Sequence, residues 1–177
     1  MNIYDTQEYA DIVVYYGQLR AKRSGVKLIN HINEGLELLE HLDAHIDAKK
    51  AFCLHPIFQN DTDFLLNYGR IFEYSRPVIS LVMEYRNKAN SYLCVEQTDD
   101  YNVATINHCI GSLHPQVRLM LIADKIQNKK DFDIYHLGTH SRSTKLSNYF
   151  HNWLVLLDVW GEHTPLIKLI TKEGECD

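Results

Sequence analysis

Residues 51–61 read AFCLHPIFQND, an apolar run interrupted by a histidine and a proline. An apolar run delivers His55 beside Pro56, and two amides, Gln59 and Asn60, follow. Ala51 and Phe52 precede His55 at i−4 and i−3, the spacing of one helix face, so the imidazole is expected to point inward. Pro56 donates no backbone N–H and disfavours the helical conformation in the residue before it. It is therefore expected to stop this short helix, or to open the next one as its first turn.

Outward from this stretch, helical periodicity continues in both directions. Tyr9, Ile12, Val13, Tyr16 and Leu19 share one face, and with Thr6 as N-cap they predict a helix over 6–22, closed by Gly25. Leu28, Ile32, Leu36 and Leu39 make the apolar stripe of a helix over 28–45, and Asp47 caps the one that runs into Pro56. In SRPVISLVMEYRNKANSYLCV, residues 75–95, Ser75 is a cap and Pro77 sits in the first turn of a long helix. After EQTDDYN a weaker helical segment ends at Gly111, and HPQVRLMLIADKIQNKK forms a helix from Pro115. A segment over 143–160 is helical and rich in Leu, Trp and Val, and Pro165 opens a short last helix. Strand alternation, internal repeats and low-complexity linkers are absent. The expectation is an all-α, single domain over residues 1–177, with about seven to nine helices.

Composition narrows the function. A chain of 177 residues, 45% hydrophobic, buries one core and roughly 70% of its unfolded surface. A net charge of −5 disfavours nucleic acid as a partner. With no run of about 18 apolar residues and no signal core, the chain is expected to be soluble and cytoplasmic, without a membrane partner. Cys53, Cys94, Cys109 and Cys176 form no CxxC pair, and three of them sit among apolar neighbours as expected of buried, reduced thiols.

Polar residues on apolar stripes stand out against this background. His31 shares a face with Leu28, Gly35 and Leu38; Asp124 shares one with Val117 and Leu121. A buried carboxylate needs a partner, either a cation or an arginine such as Arg86 or Arg118. Two imidazoles and a carboxylate, each on the inner face of its own helix, form a candidate divalent-metal set of His31, His55 and Asp124. Among ten histidines, some also sit on apolar faces simply hydrogen-bonded to backbone.

The order of these residues resembles the metal-dependent hydrolase domain of the RelA/SpoT alarmone family, a branch of the HD phosphohydrolases. Lys22-Arg23-Ser24-Gly25 matches an RKSG-like stretch whose serine precedes the first metal histidine by seven residues, here 31 − 24 = 7. Leu54-His55 matches the LHD motif, with 55 − 31 = 24, and Ile122-Ala123-Asp124-Lys125-Ile126-Gln127-Asn128 matches the LADRLHN segment. The resemblance covers roughly residues 10–135, with helices over 143–171 completing the bundle, and the length suits the small alarmone hydrolases that lack a synthetase domain. It implies an HD-like bundle, metal ligands at His31, His55 and Asp124, and nucleotide-binding positions at Lys22, Arg23, Ser24 and Asn128.

The chain departs from the family where the chemistry resides. Pro56 stands in place of the aspartate that completes the metal shell, and Gln59-Asn60 stand in place of the Glu-Asp pair that orients and deprotonates water. Amides hydrogen-bond but do not act as general bases, and three ligands with one negative charge bind Mn²⁺ or another divalent ion weakly or not at all. Two readings follow from the resemblance. In one, Asp61 or Asp63 supplies the missing acid at the positions around Gln59, Asn60 and Asp61, and the chain remains a (p)ppGpp-type 3′-pyrophosphohydrolase. In the other, hydrolysis is impaired or lost, and a pseudoenzyme pocket holds a purine nucleotide or alarmone-like molecule or serves a protein partner.

Basic side chains Lys22, Arg23, Arg86 and Lys88 could hold phosphates, or could form a solvated face. In EYRNKANSYL, residues 84–93, Glu84 and Lys88 form an i,i+4 pair, while Arg86, Asn87 and Asn90 are alternatively read as facing the cleft. His136, His140 and Arg142 around Gly138 read as a loop that is either a second edge of the ligand site or plain surface.

Overall fold

The computed structural model describes residues 1–22, 24–93, 103–139 and 142–171. Arg23, Cys94, Cys176 and His140 lie outside the described residues, as do the side chains of Asn90 and Cys109. Nine α-helices make up the described chain: α1 (Gln7–Tyr16), α2 (Ile29–His41), α3 (Ile46–Phe58), α4 (Asp61–Asn67), α5 (Arg76–Leu93), α6 (Val103–Ile110), α7 (Pro115–Tyr135), α8 (Ser143–Leu156) and α9 (His163–Ile170). Short 3₁₀ turns occupy Ile3–Asp5 and Tyr68–Glu73. No strand occurs among the described residues, and none of their helices is long and apolar enough to cross a membrane. The all-α architecture expected from periodicity is therefore the architecture found.

Thr6 caps α1 as expected, its hydroxyl accepting from the Tyr9 N–H at 3.3 Å. The helix does not reach residue 22, because Gly17 takes a positive φ of 49° and ends it. Leu19, the last member of the expected stripe, is 58% exposed beyond the helix end. The chain instead turns back on itself, with Arg20 bridging to Lys27 and Gly25 at φ 71° in the turn. Helix α2 stops at His41, before Asp43 at φ 52°, and His45 rather than Asp47 is the N-cap of α3.

Pro56 does not stop α3. The helix carries it to Phe58, and from Ala51 to Phe58 every residue but Pro56 itself is buried. An interior proline costs a helix about 3 kcal/mol, because the carbonyl four residues back loses its N–H donor and is crowded by the ring. Here that carbonyl belongs to Phe52, and His55 Nδ1 donates to it at 2.6 Å. A side chain makes the bond that the proline cannot, and burial of the surrounding run holds the helix together. Asn60 then caps α4, its side-chain oxygen accepting from the Asp63 N–H at 2.8 Å.

Two helices form the centre. α3 packs on α1, α2, α4, α5 and α7, and α7 packs on α2, α3, α5, α8 and α9. From Met120 to Gln127, α7 is buried on all sides, polar residues included. α2 approaches α3 so closely at Gly35 that a Cβ there would stand 2.2 Å from Cε1 of Phe52, a fully buried ring. That contact sets the distance between the helices carrying His31 and His55. Gly35→Ala is expected to destabilise the fold by about 1–3 kcal/mol from overpacking, more than the ~1 kcal/mol helix propensity it gains. Denaturant melts should show this loss, and Gly35→Ala with Phe52→Leu should recover part of it; an unchanged single variant would contradict the packing argument.

Candidate metal centre

α2, α3 and α7 each contribute one side chain to a single spot. His31, His55 and Asp124 place one ligand atom apiece within 4.8 Å of one another, and no other acid joins them among the described residues. His31 Nε2 lies 3.3 Å from His55 Nε2 and 3.5 Å from Asp124 Oδ1. A tetrahedral centre with bonds of about 2.0–2.1 Å separates its ligand atoms by about 3.3–3.4 Å, so these two spacings suit a small cation.

The hydrogen bonds around the imidazoles fix which nitrogen faces the spot. His55 is 2% exposed, and because its Nδ1–H serves Phe52, its Nε2 carries the lone pair. For His31 the same choice is imposed from α7. Gln127 Nε2 donates to Glu34 Oε2 at 3.0 Å and to Asp131 Oδ2 at 2.9 Å, so its amide oxygen must face His31 Nδ1, 2.6 Å away. That oxygen accepts only, so His31 Nδ1 bears the hydrogen and Nε2 turns to the centre. Two inward Nε2 atoms, each oriented by a bond on the opposite side of its ring, are the arrangement found behind metal-binding histidines.

Asp124 is already partnered, though not by Arg86 or Arg118. Its Oδ2 receives Lys125 Nζ at 2.7 Å, and its Oδ1 receives Asn128 Nδ2 at 2.9 Å. Lys125 is itself buried, with its ammonium 5.0 Å from the Trp153 ring centroid and 5.6 Å from that of Tyr149. Burial works to raise the pKa of Asp124, but Lys125 and the two histidines outweigh it and hold the carboxyl down at about 2. Burial likewise works against the Lys125 charge, and the Asp124 carboxylate outweighs it and raises that pKa. Arg86 instead donates to Phe58 O at 3.0 Å, pairs with Asp61 and lies over the Phe64 ring, joining α5 to the α3–α4 corner. Arg118 donates to Leu157 O.

Of the remaining candidates only Asn128 bonds to one of the three ligands among the contacts described. Asp61 is exposed on α4 in its pair with Arg86, and Asp63 bonds to Asn60, whose amide caps the helix. Gln59 ends α3. Ser24 Oγ accepts from Val26 N–H within its own turn, and Lys22 is exposed. Asn128 supports Asp124. Glu84 accepts from the His114 N–H at 2.7 Å instead of pairing with Lys88. His136 caps the end of α7, and Arg142 precedes α8. A separate pocket of about 590 Å³, lined by Met1, Tyr4, Leu36, Glu37, Lys49 and Leu169 among others, contains none of the three ligands.

Three participants escaped the sequence reading: Lys125, Gln127 and Glu34. Glu34 lies three residues after His31 and Gln127 three after Asp124, helix-face spacings that could have flagged both. Lys125 carries no such signal. No protein-family model, curated protein or solved structure matches the chain.

Burial, first, and the neighbouring His31, second, push the His55 pKa down from 6.5 to about 3. In the metal-free protein the unfolded chain therefore takes up a proton near pH 6.5 that the folded chain refuses until about pH 3. Stability is full above the unfolded value and falls as the pH drops through this window, by about 1.4 kcal/mol per pH unit for this one group. Urea denaturation in chelator at pH 7 and pH 5 should show the slope, and His55→Gln should flatten it. Equal slopes would contradict a neutral, buried imidazole.

Proposed function

We propose that the chain is an HD-type nucleotide-binding protein of the RelA/SpoT kind, whose centre holds a divalent cation through His31, His55 and Asp124. The observation that carries this reading is the convergence of two Nε2 lone pairs and a carboxylate oxygen on one spot, at the three positions where the motif spacing places metal ligands. Three ligands of type N, N, O suit Mn²⁺, Fe²⁺ or Zn²⁺ and leave coordination positions for a substrate phosphate. When bound, the ion supplies Lewis-acid polarisation of a phosphoryl oxygen. The ligand is a purine nucleotide or an alarmone-like molecule.

Hydrolysis is impaired or lost in this reading. General-base work needs a carboxylate or imidazole free to take a proton near the attacked phosphorus. Pro56 has no such group, Asn60 is committed to capping α4, and Asp61 is committed to Arg86. An active hydrolase that uses Asp61 or Asp63 gains no support from these positions. Lys125 also works against tight metal binding, because its charge sits on the second oxygen of Asp124. A partner-binding role on the same scaffold has one observation in its favour, the exposure of Leu65, Leu66, Tyr68 and Phe72 after α3.

Calorimetry with Mn²⁺ on chelator-stripped protein should give about one ion per chain, and His31→Ala or Asp124→Ala should abolish it. Gln127→Leu should weaken it roughly 10–100-fold while the protein stays folded, since it releases the His31 ring. Pyrophosphate release from ppGpp should be absent or slow. Failure of several divalent ions to bind at millimolar concentration would sink the reading, and brisk turnover would sink the loss of hydrolysis. Pro56→Asp combined with Gln59→Glu and Asn60→Asp is expected to raise metal affinity; no change would argue that this motif is misaligned.

A further inference from the structure

Tyr85, on α5, faces the centre and is absent from the set of residues assigned to it above. Its ring stands 4.9 Å from that of His55, between centroids, and the residue is 1% exposed. Its hydroxyl is buried beside the Asp124 carboxylate, close enough to interact with it but without a partner at full hydrogen-bond geometry. A phenylalanine would fill the same space without leaving a buried polar atom unmatched, which is a cost to any fold. The phenol O–H can donate to an acceptor that comes within reach.

What it can donate to follows from the charges. A divalent ion and the Lys125 ammonium face the single charge of Asp124, so the loaded centre is cationic and draws an anion. We propose that Tyr85 is a ligand-positioning residue whose hydroxyl donates to a phosphate oxygen held at the His31–His55–Asp124 centre. This rests on the metal-centre reading above and extends it to the group on the ligand side.

Tyr85→Phe is the test, with inorganic phosphate and GDP as probes of Mn²⁺-loaded protein. The expected result has three parts. The metal-free variant melts at the same temperature as the parent or higher, because no bond has been lost. Its Mn²⁺ affinity is unchanged. Phosphate and GDP each bind about tenfold or more weakly, the loss of a hydrogen bond to a charged acceptor. A lower melting temperature without metal would show that the hydroxyl serves the fold through Asp124, and overturns the proposal. Unchanged phosphate affinity overturns it too, as does a loss confined to GDP, which would place the contact on the nucleoside. If the parent protein binds no divalent ion, the metal-centre reading fails and this proposal falls with it; if the parent binds the ion and the variant binds phosphate equally well, only the role of Tyr85 fails.

Discussion

The bond from His55 Nδ1 to the Phe52 carbonyl does two jobs that the rest of the centre depends on. It satisfies a backbone acceptor that Pro56 leaves without its helical donor, so α3 continues through a proline at its most buried stretch. It also settles the tautomer, because a ring that gives its Nδ1 hydrogen to the backbone keeps a lone pair on Nε2. The residue that departs from the HD pattern and the residue that keeps it are thus coupled. An aspartate at position 56 would restore the backbone donor to Phe52, whose carbonyl has a second lone pair for the imidazole.

The second histidine is oriented by a longer chain of contacts. Glu34 and Asp131 fix the Gln127 amide, Gln127 fixes His31, and Lys130 bridges Glu34 and Asp131. All of these are on α2 or α7, the two helices the network joins, and Asp131 Oδ1 is held by the Lys130 charge alone. Two lone pairs 3.3 Å apart repel unless a proton or a cation lies between them. The protein therefore has to supply positive charge at this spot. Lys125 supplies some of it to Asp124 from the far side, which stabilises the carboxylate and weakens the claim a metal would have on it.

What could be read from the sequence follows from this anatomy. His31, His55 and Asp124 were legible because each lies on the apolar stripe of a helix, where a polar side chain is conspicuous, and their spacings matched a known order. Lys125 was not, because it occurs one residue after Asp124, and a helix with a single buried stripe would turn it towards water. α7 has no such dry and wet sides between Met120 and Gln127; it is wrapped by five other helices, and a periodic pattern cannot report that. Pro56 was misread for a similar reason. Its local rule is sound, but a side-chain bond and the burial of its neighbours overrode it. Gly17 ended α1 early where the apolar series suggested continuation, and Leu19 lies exposed beyond the helix end. The bundle itself was plain from periodicity, whereas its family stays a matter of motif order.

The most direct measurement is imidazole nitrogen NMR on selectively labelled protein, metal-free and then titrated with Zn²⁺. The expected spectrum shows His55 with its hydrogen on Nδ1 and an unprotonated Nε2, and both His31 and His55 Nε2 signals shift at one equivalent of metal while their Nδ1 signals keep the hydrogen. A His55 protonated on Nε2, or Nε2 signals of the pair that stay unmoved at saturating metal, would contradict the account.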